Sequence, residues 1–304
     1  MRTILVAVDG SIQGSPLLRY AFETYSDAEF IALSVIDPTT RPEEYLIKSK
    51  AVQWLQRKRA ATDERQQTIT ELASEYDVSV STAIAYGRTA GAVVDRSEQT
   101  AVDQILVGRR PHSNAVSDRL GDVVPRIIRR ASVPVTVVRT SDEHRNATPP
   151  ESVLVPVDGS DRALGALDHA CETFPTANMT ALTVRDTVSE FFEETDTTVW
   201  DEDTEPAQEL SPWQQTRNER SETILQAARD RAEQRAVALD TVAVDGSPVA
   251  EISTYVEANG IDHLYMGRTG RTSYQRLLLG STTMDVLRRC AVPVTVVPQP
   301  SRSP

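Results

Sequence analysis

The sequence predicts an α/β protein: two tandem copies of a doubly wound, mostly parallel five-stranded sheet with helices on both faces. Three observations predict it. The chain contains itself twice, since ILVAVDGS at 4–11 returns as VLVPVDGS at 153–160, ALSVID at 32–37 as ALTVRD at 181–186, and VPVTVV at 133–138 unchanged at 292–297. Within each copy, short apolar runs bounded by turn residues alternate with longer helical patterns, as in a parallel sheet covered on both faces. A repeat of about 140–150 residues is also the usual size of one domain.

The elements follow in the same order in both copies. An apolar strand at 4–8 or 153–157 leads into a helical pattern, Pro16–Tyr25 or Arg162–Phe174. A second strand, Phe30–Ile36 or Met179–Val184, precedes a long polar helix, Glu43–Tyr76 or Trp213–Ala238. A third strand ends near Gly87 or Gly246, and a helix then leads to a fourth, Gln104–Val107 or His263–Met266. The last helix and VPVTVV close each unit. Pro134 and Pro293 bring no N–H donor, which puts these last strands at a sheet edge or starts them at the proline. Identical edge strands are the expected docking surface between the two halves. Asp158 follows Asp9 by 149 residues, whereas Gly267 follows Gly108 by 159, so the second copy has gained about ten residues between its second strand and its long helix. The expected boundaries are a domain at 1–139, a polar linker at 140–151, a domain at 152–298 and a tail at 299–304.

Composition narrows the function. The formal net charge is −12 and no Lys/Arg-rich run is present, which argues against nucleic acid as a partner. No apolar run is long enough to span a membrane, and the N-terminus already reads as a core strand, so the expected location is the cytoplasm. Cys171 and Cys290 fall on helical patterns as small core residues. His112, His144, His169 and His263 lack metal-ligand spacing. The only lysines are Lys48, Lys50 and Lys58, which rules out a P-loop lysine in the second copy. An acidic, lysine-poor chain is the balance expected of a halophilic source. Asp186–Glu209 carries ten acidic residues and no basic one. It reads either as a solvated surface loop or as a lid anchored by Phe191, Phe192 and Trp200.

The chemistry concentrates in one stretch of the second copy, Gly267-x2-Gly270-x9-Gly280-Ser281, which runs from the strand pattern ending at Met266 into the helical pattern Ser281–Cys290. Glycines allow close approach of backbone N–H groups, and a helix start attracts anions, so the stretch reads as a phosphate cradle. Asp158, after Pro156-Val157, stands at the end of a parallel strand, where ligands bind in such sheets. A structural account stands beside each. Asp158-Gly159-Ser160 also suits a strand-to-helix turn with Ser160 as cap, and Ser281 also suits an ordinary N-cap.

With these residues in view, the repeated unit resembles the universal stress protein family of the UspA type, over nearly the whole chain as a tandem pair. The resemblance implies a Rossmann-like fold of the adenine nucleotide alpha hydrolase kind. ATP-binding members carry G-x2-G-x9-G followed by Ser or Thr, and the second copy matches in full. By resemblance, the amides around Gly267, Gly270, Gly280, Ser281 and Thr282 hold the phosphates, with Mg²⁺ held mainly by the phosphates themselves. Asp158, approached through Pro156 and Val157, meets the ribose, and Val184 meets the adenine through its backbone. Met266 leads into the loop, and Arg268 and Arg271 lie inside it, within reach of phosphate oxygens.

The first copy departs from that pattern. It reads Gly108-Arg109-Arg110-Pro111, and after nine further residues Gly121-Asp122. Pro111 removes an N–H and fixes φ. Asp122 is expected to cap its helix with its own carboxylate and to put negative charge where a phosphate would sit. Ala7 stands where the second copy has Pro156, while Asp9 and Val35 persist. The expectation is therefore one ATP site per chain, in the second domain, with no residue assigned to catalysis. A nucleotide-binding regulatory protein read by another protein is the first reading. A slow ATPase or self-phosphorylating enzyme, and a nucleotide-free scaffold, are the alternatives. Further pairing between chains is left open.

Overall fold

The computed structural model describes residues 1–8, 16–40, 42, 48–109, 121–139, 149–185, 206–269 and 279–298. The acidic stretch from 186 to 205, including Phe191, Phe192 and Trp200, lies outside them, as do Asp9, Pro111, Gly270, Arg271, His112 and His144.

The first half consists of β1 (Thr3–Val8), α1 (Pro16–Thr24), β2 (Glu29–Ile36), α2 (Lys48–Glu75), β3 (Ser79–Tyr86), α3 (Thr89–Gln99), β4 (Gln104–Arg109), α4 (Val123–Arg130) and β5 (Val135–Arg139). The second repeats the order with β6 (Ser152–Pro156), α5 (Asp161–Thr173), β7 (Asn178–Arg185), α6 (Pro206–Glu233), β8 (Leu239–Asp245), α7 (Pro248–Ala258), β9 (His263–Gly267), α8 (Ser281–Arg289) and β10 (Val294–Val297). The sequence expectations differ from these mainly at element ends. The long helix of the second half already runs from 206 rather than from 213, and that of the first half is described from 48, with 43–47 outside the described residues.

The ten strands of the described residues form one sheet in the order β3-β2-β1-β4-β5-β10-β9-β6-β7-β8. Each half is parallel throughout, and the halves join where β5 and β10 run antiparallel, with Val137 opposite Val294, Thr136 opposite Thr295 and Val135 opposite Val296. The VPVTVV strand is thus the edge of each half and the centre of the whole. Both strands begin just after the proline. Pro134 and Pro293 contribute carbonyls instead, accepting from Ile105 N (2.9 Å) and Leu264 N (3.0 Å). The missing N–H therefore falls outside the ladder.

Alternation along the strands feeds two cores, one on each face, and each runs through both halves. One gathers Ile4, Val6, Phe30, Val153, Val155 and Tyr265 under α1, α2, α5 and α6; the other gathers Leu5, Ile105, Val137, Leu154, Met266 and Val296 under α3, α4, α7 and α8. Cys171 and Cys290 are buried among these residues, and burial pushes the Cys171 thiol up to about 11.

A buried polar chain crosses the junction. Gln104 Nε2 donates to Tyr25 (3.0 Å) and to Thr136 Oγ1 (2.6 Å), and Thr136 Oγ1 lies 2.7 Å from Thr295 Oγ1. Thr295 in turn contacts His263 Nε2 at 2.8 Å, and His263 Nδ1 lies 2.9 Å from the Tyr20 hydroxyl. His263 occupies the place that Gln104 holds in the first half, and it stacks on Tyr265 at 4.9 Å. Networks of this kind hold a unique register, since a slip would leave further buried polar atoms unpartnered beside Gln104 Oε1, which has no partner among the described residues. Among the described neighbours of His263 are Tyr20, Thr295, Tyr265 and Phe174, which offer no carboxylate.

Burial, reinforced by the charge of His169, pushes the His263 imidazole down to about 3, and burial pushes His169 down to about 4. Both are neutral in the folded protein, whereas the unfolded chain takes up protons near pH 6.5. Stability is therefore full above pH 6.5 and is lost as pH falls toward the folded values. Urea denaturation between pH 6.5 and 5 should show a loss that steepens from about 0.7 toward about 1.4 kcal/mol per pH unit for each such imidazole. His263→Gln, which copies the residue at 104, should lower that slope; an unchanged slope would mean that His263 is not the group responsible.

Candidate functional site

The carboxyl ends of β6, β7 and β9 collect most of the described residues singled out above. In the parallel registers, Leu154 lies opposite Leu264 and Pro156 opposite Leu182, so Asp158, Val184 and Arg268 extend to the same level. Val157 N donates to Leu182 O at 2.8 Å and holds this edge in line. The side chains of Val157 and Met266 turn into opposite core layers, and that of Val184 packs against the layer containing Met266. At Val157 and Met266, what the edge offers a ligand is main chain.

Asp158 makes a strand-to-helix turn. Its Oδ1 accepts from Ser160 N (3.0 Å) and Ser160 Oγ (2.6 Å), and Ser160 Oγ accepts from Ala163 N (3.2 Å) as the N-cap of α5. The turn needs Gly159 at φ +80, and a Cβ there would lie 3.0 Å from Ile224 of α6. The turn account weighed for these residues is therefore present, with the carboxylate half-buried at the sheet edge.

The glycine loop is described at both ends of its span. Gly267 is required by packing: a Cβ would stand 2.9 Å from both the carbonyl carbon and the oxygen of Arg162 in the first turn of α5. Arg268 N donates to Val297 O (3.0 Å), Gly280 N donates to Arg268 O (3.0 Å), and Thr283 Oγ1 donates to Gly267 O (3.1 Å). These bonds close the neck, and the amide of Gly280 is consumed in doing so. The N-cap of α8 is Gly280 and not Ser281; its extended backbone (φ −60, ψ 145) makes Ser281 the first helical residue. Glycine has no side chain to accept from the first turn, so the N–H groups of Ser281, Thr282 and Thr283 form an uncapped, positively polarised helix end. Ser281 is exposed and Thr282 half-buried. This end suits an anion.

The corresponding end of α4 does not. Asp122 is at the N-cap, but it makes no side-chain cap bond, contrary to the expectation from sequence. Its helical backbone (φ −59, ψ −19) departs from the extended geometry that turns an N-cap side chain toward the N2 and N3 amides. The carboxylate pairs instead with Arg126 at 3.0 Å and leaves an exposed negative charge at the helix start.

The Arg268 guanidinium reaches the other half. Its Nη1 donates to Arg129 O (3.2 Å) and Ala131 O (3.3 Å), at the C-terminus of α4 in the other half. Its counterpart Arg109 does the same in reverse, with Nη1 on Arg288 O and Nη2 on Cys290 O (3.1 Å) at the end of α8. Burial, then the like charge of Arg162, lowers the Arg268 pKa from its usual value, and an arginine remains protonated even so.

Sequence reasoning missed this exchange of arginines, the Thr283 anchor, and a cluster beside Val184. In that cluster Asp245 bridges Arg185 (2.8 Å) and Arg217 (2.8 Å), and Arg217 Nη2 also donates to Arg185 O at 3.2 Å. Among the described residues, no group of three or more His, Cys, Asp or Glu could hold a metal ion, and no helix is long and apolar enough to cross a membrane.

The profile of the family described as "Universal stress protein family" matches residues 1–139 and again 150–298. The chain belongs to the universal stress protein family. It carries the family domain twice. A universal stress protein of Methanocaldococcus jannaschii is 31% identical over 154 residues, which is 50% of this chain and 84% of that protein. A universal stress protein of Bacillus subtilis is 27% identical over 74 residues, 24% of this chain and 50% of the relative. Among solved structures, a universal stress protein from Archaeoglobus fulgidus matches with a TM-score of 0.66 at 19% identity, covering 97% of this chain and 98% of the other. A functionally unknown protein from Pseudomonas aeruginosa matches with a TM-score of 0.62 at 18% identity, covering 99% and 93%. Likeness at these identities concerns the fold.

Gly267→Ala should test how tightly the loop neck is packed. The added methyl meets main chain of α5 and has nowhere to go, so urea denaturation should show a loss of about 1–3 kcal/mol. A loss below a few tenths of a kcal/mol would mean that α5 and β9 separate easily.

Proposed function

We propose that this chain is an ATP-binding regulatory member of the family, with one nucleotide site, in its second domain. The observation that carries the reading is the start of α8, where Gly280 leaves the helix end uncapped on the sheet edge that also carries Asp158 and Val184. Phosphates would be held by amides around Gly267, Gly270, Ser281 and Thr282, and Gly280 would shape the neck. Asp158, approached through Pro156 and Val157, would accept from ribose hydroxyls, and the main chain of Val184 would face the adenine. Met266 would bring the strand to the loop. Mg²⁺ would be held mainly by the phosphates, whose charge it neutralises.

In the first domain the Asp122 carboxylate opposes a phosphate at the equivalent place, so that half would serve as a docking and regulatory partner. The units would be 1–139 and 152–298, joined by 140–151 and followed by a tail at 299–304. The acidic, lysine-poor composition supports a halophilic setting, and the location proposed is the cytoplasm. No general base is placed near the described part of the loop, which favours binding over turnover.

Denaturing the purified protein and chromatographing the supernatant should release adenine nucleotide, and incubation with Mg²⁺ and ATP for hours should yield little ADP. Steady ADP production would replace this reading with a slow ATPase. Neither bound nucleotide nor any ATP-dependent rise in Tm would leave only a scaffold. Ser281→Asp, which imitates Asp122 of the first domain, should weaken ATP binding by at least about 10-fold through like-charge repulsion at the helix end. Equal affinity in calorimetric titration would place the phosphates elsewhere.

A further inference from the structure

We propose that Arg268 is a positioning residue for the glycine loop: by holding the C-terminus of α4 in the first domain, it makes nucleotide affinity in the second domain depend on how the two domains are docked. The role in affinity rests on the nucleotide site proposed above; the role in setting the loop neck stands on geometry alone.

Among the described residues, Arg268 is tied down at three points. Its main-chain N–H donates to Val297 O (3.0 Å), its carbonyl accepts from Gly280 N (3.0 Å), and its Nη1 donates to Arg129 O and Ala131 O of the first domain. The first bond fixes it to the end of the sheet. The second sets the height at which α8 begins, because Gly280 is the N-cap of that helix. The third reaches across the junction to the negative end of α4, where carbonyls lack intrahelical donors and a guanidinium is favoured. One residue therefore links the phosphate-facing start of α8 to the end of α4. If nucleotide binding needs the neck in this form, linkage requires that it also strengthen the grip on α4.

The molecule contains its own control. Arg109 makes the matching bonds to Arg288 O and Cys290 O across the same junction. Its main chain belongs to the first domain's loop, where Asp122 and Pro111 stand in place of the nucleotide motif. Loss of either guanidinium removes one grip on a helix end, but only Arg268 is attached to the neck at Gly280.

The test compares Arg268→Ala, Arg109→Ala and Arg268→Lys in the full chain. The amide exchange rate of Gly280 is measured without nucleotide, and the Kd for ATP by titration calorimetry. Arg268→Ala should speed exchange at Gly280 and weaken ATP binding, each by about 10-fold, while Arg109→Ala leaves both within about twofold despite a similar fall in Tm. Arg268→Lys should fall between, since an ammonium still favours the helix end but lacks the planar fork of donors; it also serves if the alanine variant does not fold. Equal effects of Arg268→Ala and Arg109→Ala would reduce both residues to interface stabilisers and overturn the proposal, as would no effect of either. If the unaltered chain binds no ATP, the nucleotide reading fails together with the affinity role, and exchange at Gly280 alone decides whether Arg268 sets the neck.

Discussion

The structure depends on one backbone ladder, the antiparallel pairing of β5 with β10. A five-stranded parallel sheet ending in an apolar strand leaves a row of unpaired N–H and C=O groups flanked by side chains that need cover. Pairing the two edges satisfies both needs and merges two small sheets and their cores into one. The polarity of the join also governs what meets what. Because β5 and β10 run oppositely, the carboxyl edge of one half lies level with the amino edge of the other. The last helix of each half ends where the fourth strand of the other half ends, so an arginine that follows a strand can reach the final carbonyls of a helix belonging to the other domain.

The two candidate edges are alike in architecture and differ in a few atoms. At the start of α8 a glycine brings no acceptor and three hydroxyl residues follow, Ser281, Thr282 and Thr283. At the start of α4 a carboxylate caps no amide of its helix and pairs with Arg126 one turn on. The difference in charge and in N–H availability is a local matter, with the sheet, the helix and the neighbouring half held in common. This separates fold from site within a single chain, since the same scaffold carries one edge suited to an anion and one opposed to it.

Much of this was legible in the sequence because it is written in patterns that act locally. Short Val- and Ile-rich runs between turn residues fix parallel strands, and the repeat of VPVTVV marked the strands that meet. The helix ends were less legible. Whether Gly280 or Ser281 is the N-cap depends on backbone angles set by the bond from Gly280 N to Arg268 O, which joins residues twelve apart across the loop. Asp122 looked like a capping residue by type and fails to cap because its backbone is helical. Arg268 looked like a phosphate ligand from its place in the loop. The signal for a second task was present: Gly108-Arg109 keeps the same pair of residues in the copy whose loop lacks the second glycine and the Ser. An arginine kept where the motif is absent points to a task besides the ligand. Which task requires knowing that α4 and α8 end across the junction, and that is tertiary information.

The buried chain from Tyr25 to Tyr20 carries Gln104 on one side of the junction and His263 on the other, with Thr136 and Thr295 meeting between them. In an assembly of two identical chains, each substitution at such an axis appears twice, and any change must be tolerated against its own mirror. Joining the halves in one polypeptide lifts that restriction and also keeps the two surfaces at high local concentration. Each side can then specialise for the other as two different proteins do, which is how an amide and an imidazole come to share one seam and how the starts of α4 and α8 come to differ in charge.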